Sequence, residues 1–178
     1  IFVFLSLIPA FFIARRFGGD IAGVLAVSLL SLNFSFFVRT KWGLADTDAY
    51  VVFFPLLIIW MFIECYEAKE TIKKTIFGFL CGFSLGIYSL VWEWWYFYDF
   101  ILSAIFFHLL YLIFLAIKKA KCTDSFQNLA KTSLIFLVFT GIFVASLLSF
   151  RDFIRAPLTP ISFVAITNTA YENLWPNT

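Results

Sequence analysis

The sequence predicts an all-α membrane protein, a polytopic transmembrane helix bundle of about six spans, on three observations. Apolar residues form 62% of the chain and charged residues only 13%, about half the charged share that covers a soluble domain. The apolar residues come in long runs, several of them long enough to cross a hydrocarbon core of about 30 Å. The runs do not alternate as the strands of a membrane barrel do. Phe and the β-branched residues would favour strands in water. Lipid tolerates no open sheet edge, so these runs are read as helices.

The spans are placed at 1–14, 20–38, 50–65, 74–91, 99–117 and 129–150, with connections at 14–20, 38–49, 65–74, 92–98 and 118–129. No charged leader or small-residue cleavage site precedes the first run, so it is not read as a signal peptide. Both ends are expected to be cut from a longer protein. Residues 1–150 then form a fragment of a transmembrane bundle. Residues 151–178, with Pro157, Pro160 and Pro176, form the start of an external loop.

Lys and Arg set the orientation. Alternate connections hold Arg15, Arg16, Lys69, Lys73, Lys74, Lys118, Lys119, Lys121 and Lys131 on one side. The other side holds Arg39, Lys41, Arg151 and Arg155, so the division is nine against four. The first set is predicted to be cytoplasmic. Asp46, Asp48, Glu93, Asp99, Asp152 and Glu172 then fall on or near the outer face, with Trp92, Trp94, Trp95, Tyr96 and Tyr98. The basic residues are dispersed over loop ends, and nothing in their pattern implies nucleic acid. Cys65, Cys81 and Cys122 form no Cys-x-x-Cys pair and imply neither a disulfide framework nor a zinc site.

The most informative stretch is Arg39-Thr-Lys-Trp-Gly-Leu-Ala-Asp46-Thr-Asp48-Ala-Tyr. Two carboxylates at i and i+2 offer hard oxygen ligands of the kind that hold Mg²⁺ or Mn²⁺. Arg39 carries the planar fork that matches a phosphate. A plainer reading is that Asp-Thr-Asp caps a helix starting near Ala49. The pattern alone leaves both open.

The same stretch resembles the catalytic subunit of oligosaccharyltransferase, in particular its archaeal members, the dolichyl-diphosphooligosaccharide–protein glycosyltransferases. Arg39, Thr40, Gly43, Asp46 and Asp48 match an external-loop motif of that family in order and spacing. The continuation Ala49-Tyr-Val-Val-Phe-Phe-Pro55 is similar too, as is the preceding span entered from Arg15-Arg16. The resemblance implies a lipid-donor (GT-C type) glycosyltransferase bundle. Its activity would be transfer of an oligosaccharide from a lipid pyrophosphate carrier to the Asn of an acceptor polypeptide. It implies a multi-pass protein of the cell membrane with its active face outside, and a divalent cation, Mg or Mn. Asp46 and Asp48 are then the catalytic and metal residues, and Arg39, Trp95 and Tyr96 contact the pyrophosphate end of the donor.

Trp94-Trp95-Tyr96 is also readable as an ordinary interfacial belt. Thr169-Ala-Tyr-Glu172 fits the family's external-loop Thr-x-x-Glu, which makes Glu172 a further metal candidate. Trp175-Pro-Asn, however, is similar to what precedes that motif, and this favours a glutamate beyond Thr178. The family's other metal-binding Asp is expected before Ile1 and its acceptor-reading soluble domain after Thr178, so the fragment alone is expected to be inactive. His108, the single histidine, lies within a span and is read as a hydrogen-bonded core residue. Two other classes fit the composition. One is a different lipid-donor glycosyltransferase of the mannosyltransferase kind. The other is a transporter, which should place ionisable residues at the bilayer midplane.

Overall fold

The computed structural model describes residues 2–33, 48–118 and 122–160. Every regular element among them is helical: α1 (Phe2–Leu32), α2 (Asp48–Glu67), α3 (Thr71–Ser89), α4 (Trp95–Ile117), α5 (Thr123–Leu147), α6 (Phe150–Arg155) and a 3-10 turn (Ala156–Leu158).

The first helix is a hairpin rather than a rod. Gly18 leaves the helical region at φ −141° and ψ 20°, and Gly19 follows at φ 70° and ψ −167°. The left-handed φ at Gly19 is one that a side chain disfavours. In a continuous helix Phe11 and Gly23 would stand about 18 Å apart. Here the Phe11 ring is so close that a Cβ on Gly23 would meet it at 2.7 Å. Arg15 Nε donates to Asp20 Oδ1 at 2.6 Å and ties the reversal. The chain therefore reverses within the connection expected at 14–20, and the described residues hold six helical runs of two turns or more.

Three of these runs, Tyr50–Glu67, Trp95–Ile117 and Thr123–Leu147, are long and apolar enough to cross a membrane. The expected count of six is not reached by that measure, for physical reasons. Arg15, Arg16 and Asp20 interrupt the hairpin, and α3 carries Lys73, Lys74 and three glycines. The remainder of the expected second span, 34–38, lies outside the described residues. Boundaries also differ, most at two helix starts. The 92–98 connection becomes helix at Trp95, and the 118–129 connection becomes helix at Thr123. Hydropathy marks the hydrocarbon layer, whereas a helix runs on into the interface. At 25 residues, α5 is about 37 Å long.

Helices α2, α3 and α5 pack around Ile58, Cys81, Leu85, Tyr88, Phe136 and Val144, all fully buried. Between α3 and α5 the approach is close because Gly78, Gly82 and Gly86 fall at i, i+4 and i+8 on one face. A Cβ at Gly82 would lie 2.7 Å from the Phe139 carbonyl carbon, and one at Gly86 would lie 2.7 Å from Phe143 Cβ. Small residues at this spacing let membrane helices pack by their backbones.

At one end, Lys74 is only 5% exposed. Its Nζ donates to the Cys65 carbonyl at 2.7 Å, Asn128 Oδ1 at 2.8 Å, Thr132 Oγ1 at 3.0 Å and the Tyr66 carbonyl at 3.3 Å. The last carbonyls of α2, which have no partner in their own helix, are thus closed by a cation from α3. Asn128 Nδ2 donates to the same Tyr66 carbonyl at 2.8 Å. The Tyr66 hydroxyl lies 2.8 Å from His108 Nε2, the hydrogen bond expected of that histidine.

Arg15, Arg16, Lys73 and Lys74 share this basic end with the last turn of α2. The 92–98 segment and residues 150–160 share the other end, with the last turns of α3 and α5 and the first of α4. Asp48 opens α2 at that aromatic end. This is the sidedness expected from the charges. Lys119, Asp46 and Arg39 lie outside the described residues.

Candidate functional site

The aromatic end is organised by a break in the chain. After α5, Leu148 takes φ −112° and ψ −90°, and Ser149 is extended at φ −163° and ψ 147°. The Ser149 hydroxyl then accepts from the Arg151 N–H at 3.2 Å and caps α6. Phe153 of α6 packs on Tyr98 of α4 at a ring separation of 5.6 Å, and Tyr98 also stacks against Phe136 of α5. These contacts hold residues 150–160 against the start of α4.

The result is a groove of about 500 Å³. Its walls include Trp94 and Trp95 on one side and Asp152, Arg155 and Thr159 on the other. The indoles are nearly buried within the bundle, Trp94 at 6% and Trp95 at 9% exposure, so each offers only a small part of its surface to the groove. Asp152 and Arg155 are exposed. Among the described residues, Arg155 enters no ion pair. Indoles set beside an exposed guanidinium suit an amphipathic anion, because apolar rings pack on carbon and the guanidinium fork matches phosphate oxygens, while the Asp152 carboxylate in the same lining opposes it.

The two aromatic residues expected at the donor separate here. Trp95 lines the groove, whereas Tyr96 is stacked on Trp95 at 3.6 Å, is 45% exposed and lies outside the lining. Asp48 begins α2 at this same end. Arg39, Asp46 and Glu172 fall outside the described residues. Among the described residues, no three His, Cys, Asp or Glu side chains come together to hold a metal ion. Sequence reasoning counted Asp152 and Arg155 only as loop charges and so missed their place in the groove. The Ser149 cap immediately before a charged, six-residue run was the available signal.

A second recess of about 370 Å³ opens beside it, lined by Asp99, Ser103, Phe106, Pro157 and Pro160 among others. Asp99 Oδ2 is buried and has no hydrogen-bond partner among the described residues.

With this arrangement in view, comparison with known proteins is direct. The family model described as oligosaccharyl transferase STT3, N-terminal, matches residues 1–173. The chain belongs to this family. It is 28% identical, over 191 aligned residues, to a dolichyl-phosphooligosaccharide-protein glycotransferase of Methanococcus voltae. That alignment covers 95% of this chain and 20% of the relative, so the chain spans a fifth of the length of the curated protein it matches. No solved structure matches. Membership of the STT3 family agrees with the resemblance drawn from Arg39, Gly43, Asp46 and Asp48. Together with its apolar helices, it makes this a membrane protein.

Proposed function

We propose that the full-length protein transfers an oligosaccharide from a lipid pyrophosphate carrier to the Asn side chain of acceptor polypeptides at the outer membrane face. This chain contributes part of the bundle that receives the donor. The observation that carries the reading is the family match over residues 1–173. The groove at the aromatic end supports it, because it sets Trp95 and Arg155 together where an amphipathic phosphate would fit. The printed name of the archaeal relative, which specifies a dolichyl-phosphooligosaccharide and a protein, supports the two substrate classes.

The chemistry assigns roles to residues of this chain. A divalent cation, Mg²⁺ or Mn²⁺, supplies charge neutralisation for the departing pyrophosphate when bound. Asp46 and Asp48 are hard oxygen donors that suit such an ion, and Asp48 opens α2 at the end that carries the groove. Arg39 and Arg155 add fixed positive charge toward the phosphates. Trp95 and Tyr96 flank the junction between the charged head and the apolar carrier. The carrier chain lies along the lipid-facing helices, which is why the reaction needs a multi-pass bundle.

The test uses full-length protein in lipid nanodiscs, a lipid-pyrophosphate oligosaccharide and an Asn-containing peptide. Glycopeptide should form with added Mn²⁺ or Mg²⁺ and stop with a chelator. Glycosylation of a Ser or Thr hydroxyl instead, or sugar transfer to lipid alone, would overturn the reading.

A further inference from the structure

The basic end carries a groove that the transfer reaction does not use. It measures about 470 Å³ and lies between the start of α3 and the outer face of α5. Lys69, Lys74 and Lys131 contribute to its walls, with Thr71, Gln127 and Asn128. The three lysines differ in kind. Lys74 is spent on the carbonyls of α2 and on Asn128 and Thr132, and so forms a fixed positive floor. Lys69 and Lys131 are exposed and enter no ion pair among the described residues. Lys73, by contrast, is paired with Glu70 at 2.9 Å, and Lys118 sits over the Phe114 ring at 4.4 Å. Asp124 is the single acidic residue in the lining.

Below this groove α5 exposes apolar side chains at successive turns. Leu134 lies in the lining and is 64% exposed. Val138 and Ile142 follow at successive turns of α5, both exposed. On α3, Phe79 and Phe83 are stacked in parallel and meet Phe143 of α5 edge-on, so the seam between the two helices is aromatic. A basic pocket at the interface that opens onto an apolar furrow has the shape of a phospholipid, head above and chain below.

We infer that this groove is a specific site for one anionic phospholipid in the leaflet at the basic end. Its phosphate lies between Lys69 and Lys131 above the fixed charge of Lys74, and an acyl or isoprenoid chain lies along Leu134, Val138 and Ile142. The furrow distinguishes this site from one for free phosphate, which would gain nothing from an apolar extension. Because Lys74 bridges α2, α3 and α5, an anion seated above it offsets a buried charge that those helices share.

The experiment is lipid retention by the full-length protein, read by native mass spectrometry after delipidation and titration with phosphatidylglycerol or phosphatidylcholine. Thermal stability is followed in parallel. The wild type should retain one phosphatidylglycerol, with affinity at least about tenfold above that for phosphatidylcholine. K69Q/K131Q should lose that preference by about tenfold or more, since each interfacial lysine contributes comparably. K73Q/K118Q removes the same charge at the same end but outside the groove, and should leave the preference intact. Equal loss in the two double variants would mean a diffuse basic surface and would overturn the site. Displacement by millimolar inorganic phosphate as effective as that by the lipid would overturn the choice of a lipid. Should K69Q/K131Q fail to fold, L134D in place of the apolar lip must reduce phosphatidylglycerol retention, and normal retention by L134D would overturn the proposal.

Discussion

Arg16 grips Glu64 with one nitrogen, Nη2, which stands 2.6 Å from both carboxylate oxygens. Its other terminal nitrogen pairs with Glu67. Glu64 Oε1 also accepts from Trp60 Nε1 at 3.1 Å, and Trp60 stacks on Phe12 at 4.8 Å. The Glu64 hydrogen bond holds the Arg16 guanidinium above its ordinary pKa. Through this chain of contacts the hairpin α1 is fixed to the last turn of α2. Arg16 is 39% exposed and Glu64 17%, so solvent screens the pair and its contribution is discounted. Arg16→Ala should lower stability by about 1 kcal/mol. Glu64→Gln should cost less than Glu64→Ala, because the amide keeps an acceptor for Trp60. Thermal unfolding in detergent, compared across the three variants, checks the order.

Lys74 is the residue whose loss should cost most at the basic end. Lys74→Met keeps the apolar stem but strips a donor from the Cys65 and Tyr66 carbonyls, Asn128 and Thr132. The Tyr66 carbonyl keeps Asn128 Nδ2, but leaving the other buried acceptors short of a donor costs about 2 to 3 kcal/mol. Arg cannot restore them, since its fork is larger than the ammonium this pocket encloses. A Lys74→Met protein as stable as the wild type would show that the carbonyls find water instead.

Much of this was legible in the sequence, and the failures have physical causes. The reversal at Gly18-Gly19, the helix following Asp-Thr-Asp and the placement of Trp95 opposite Lys73 all follow from apolar runs and charge. The starts of α4 and α5 were set too late, because hydropathy reads the lipid layer and not the backbone hydrogen bonds that continue past it. Lys74 was counted as one more loop lysine, since nothing in a single chain shows that Asn128 and Thr132 will meet it. The groove wall at Asp152 and Arg155 depends on the contact of Phe153 with Tyr98, a long-range pairing that no local pattern encodes. The Gly78, Gly82 and Gly86 stripe was visible at i, i+4 and i+8 and passed unread.

That stripe gives a sharp prediction. Gly82→Leu must push Phe139 away from a backbone contact that admits no Cβ, and overpacking of this kind costs about 1 to 3 kcal/mol. Gly19→Ala meets nothing within 4 Å and carries the penalty of φ 70° with ψ −167°, a region reserved almost wholly for glycine, about 1 to 3 kcal/mol. Gly82→Leu should therefore separate α3 from α5, seen as faster proteolysis between them, whereas Gly19→Ala should lower the melting temperature while leaving α3 and α5 packed.

For the groove, Arg155→Gln removes the charge that the proposed function assigns to the donor head and leaves Asp46 and Asp48 in place. Loss of binding felt equally in ground and transition states raises KM and spares kcat. The apparent KM for the lipid-linked donor should rise about tenfold with kcat within about twofold. Trp95→Ala should act in the same direction. A fall in kcat alone would place Arg155 on the reacting bond and not on donor binding.

The most direct test of the transfer account is glycopeptide formation by full-length Asp46→Asn protein across a titration of Mn²⁺, with thermal stability followed in parallel. Asn caps a helix about as well as Asp, so α2 should persist with stability changed by less than about 1 kcal/mol. Transfer should nevertheless fall by roughly two orders of magnitude or more, as charge neutralisation at the departing pyrophosphate weakens. Excess Mn²⁺ should recover part of that loss. Near-wild-type transfer by Asp46→Asn at low metal would leave Asp46 as a helix cap and contradict the account.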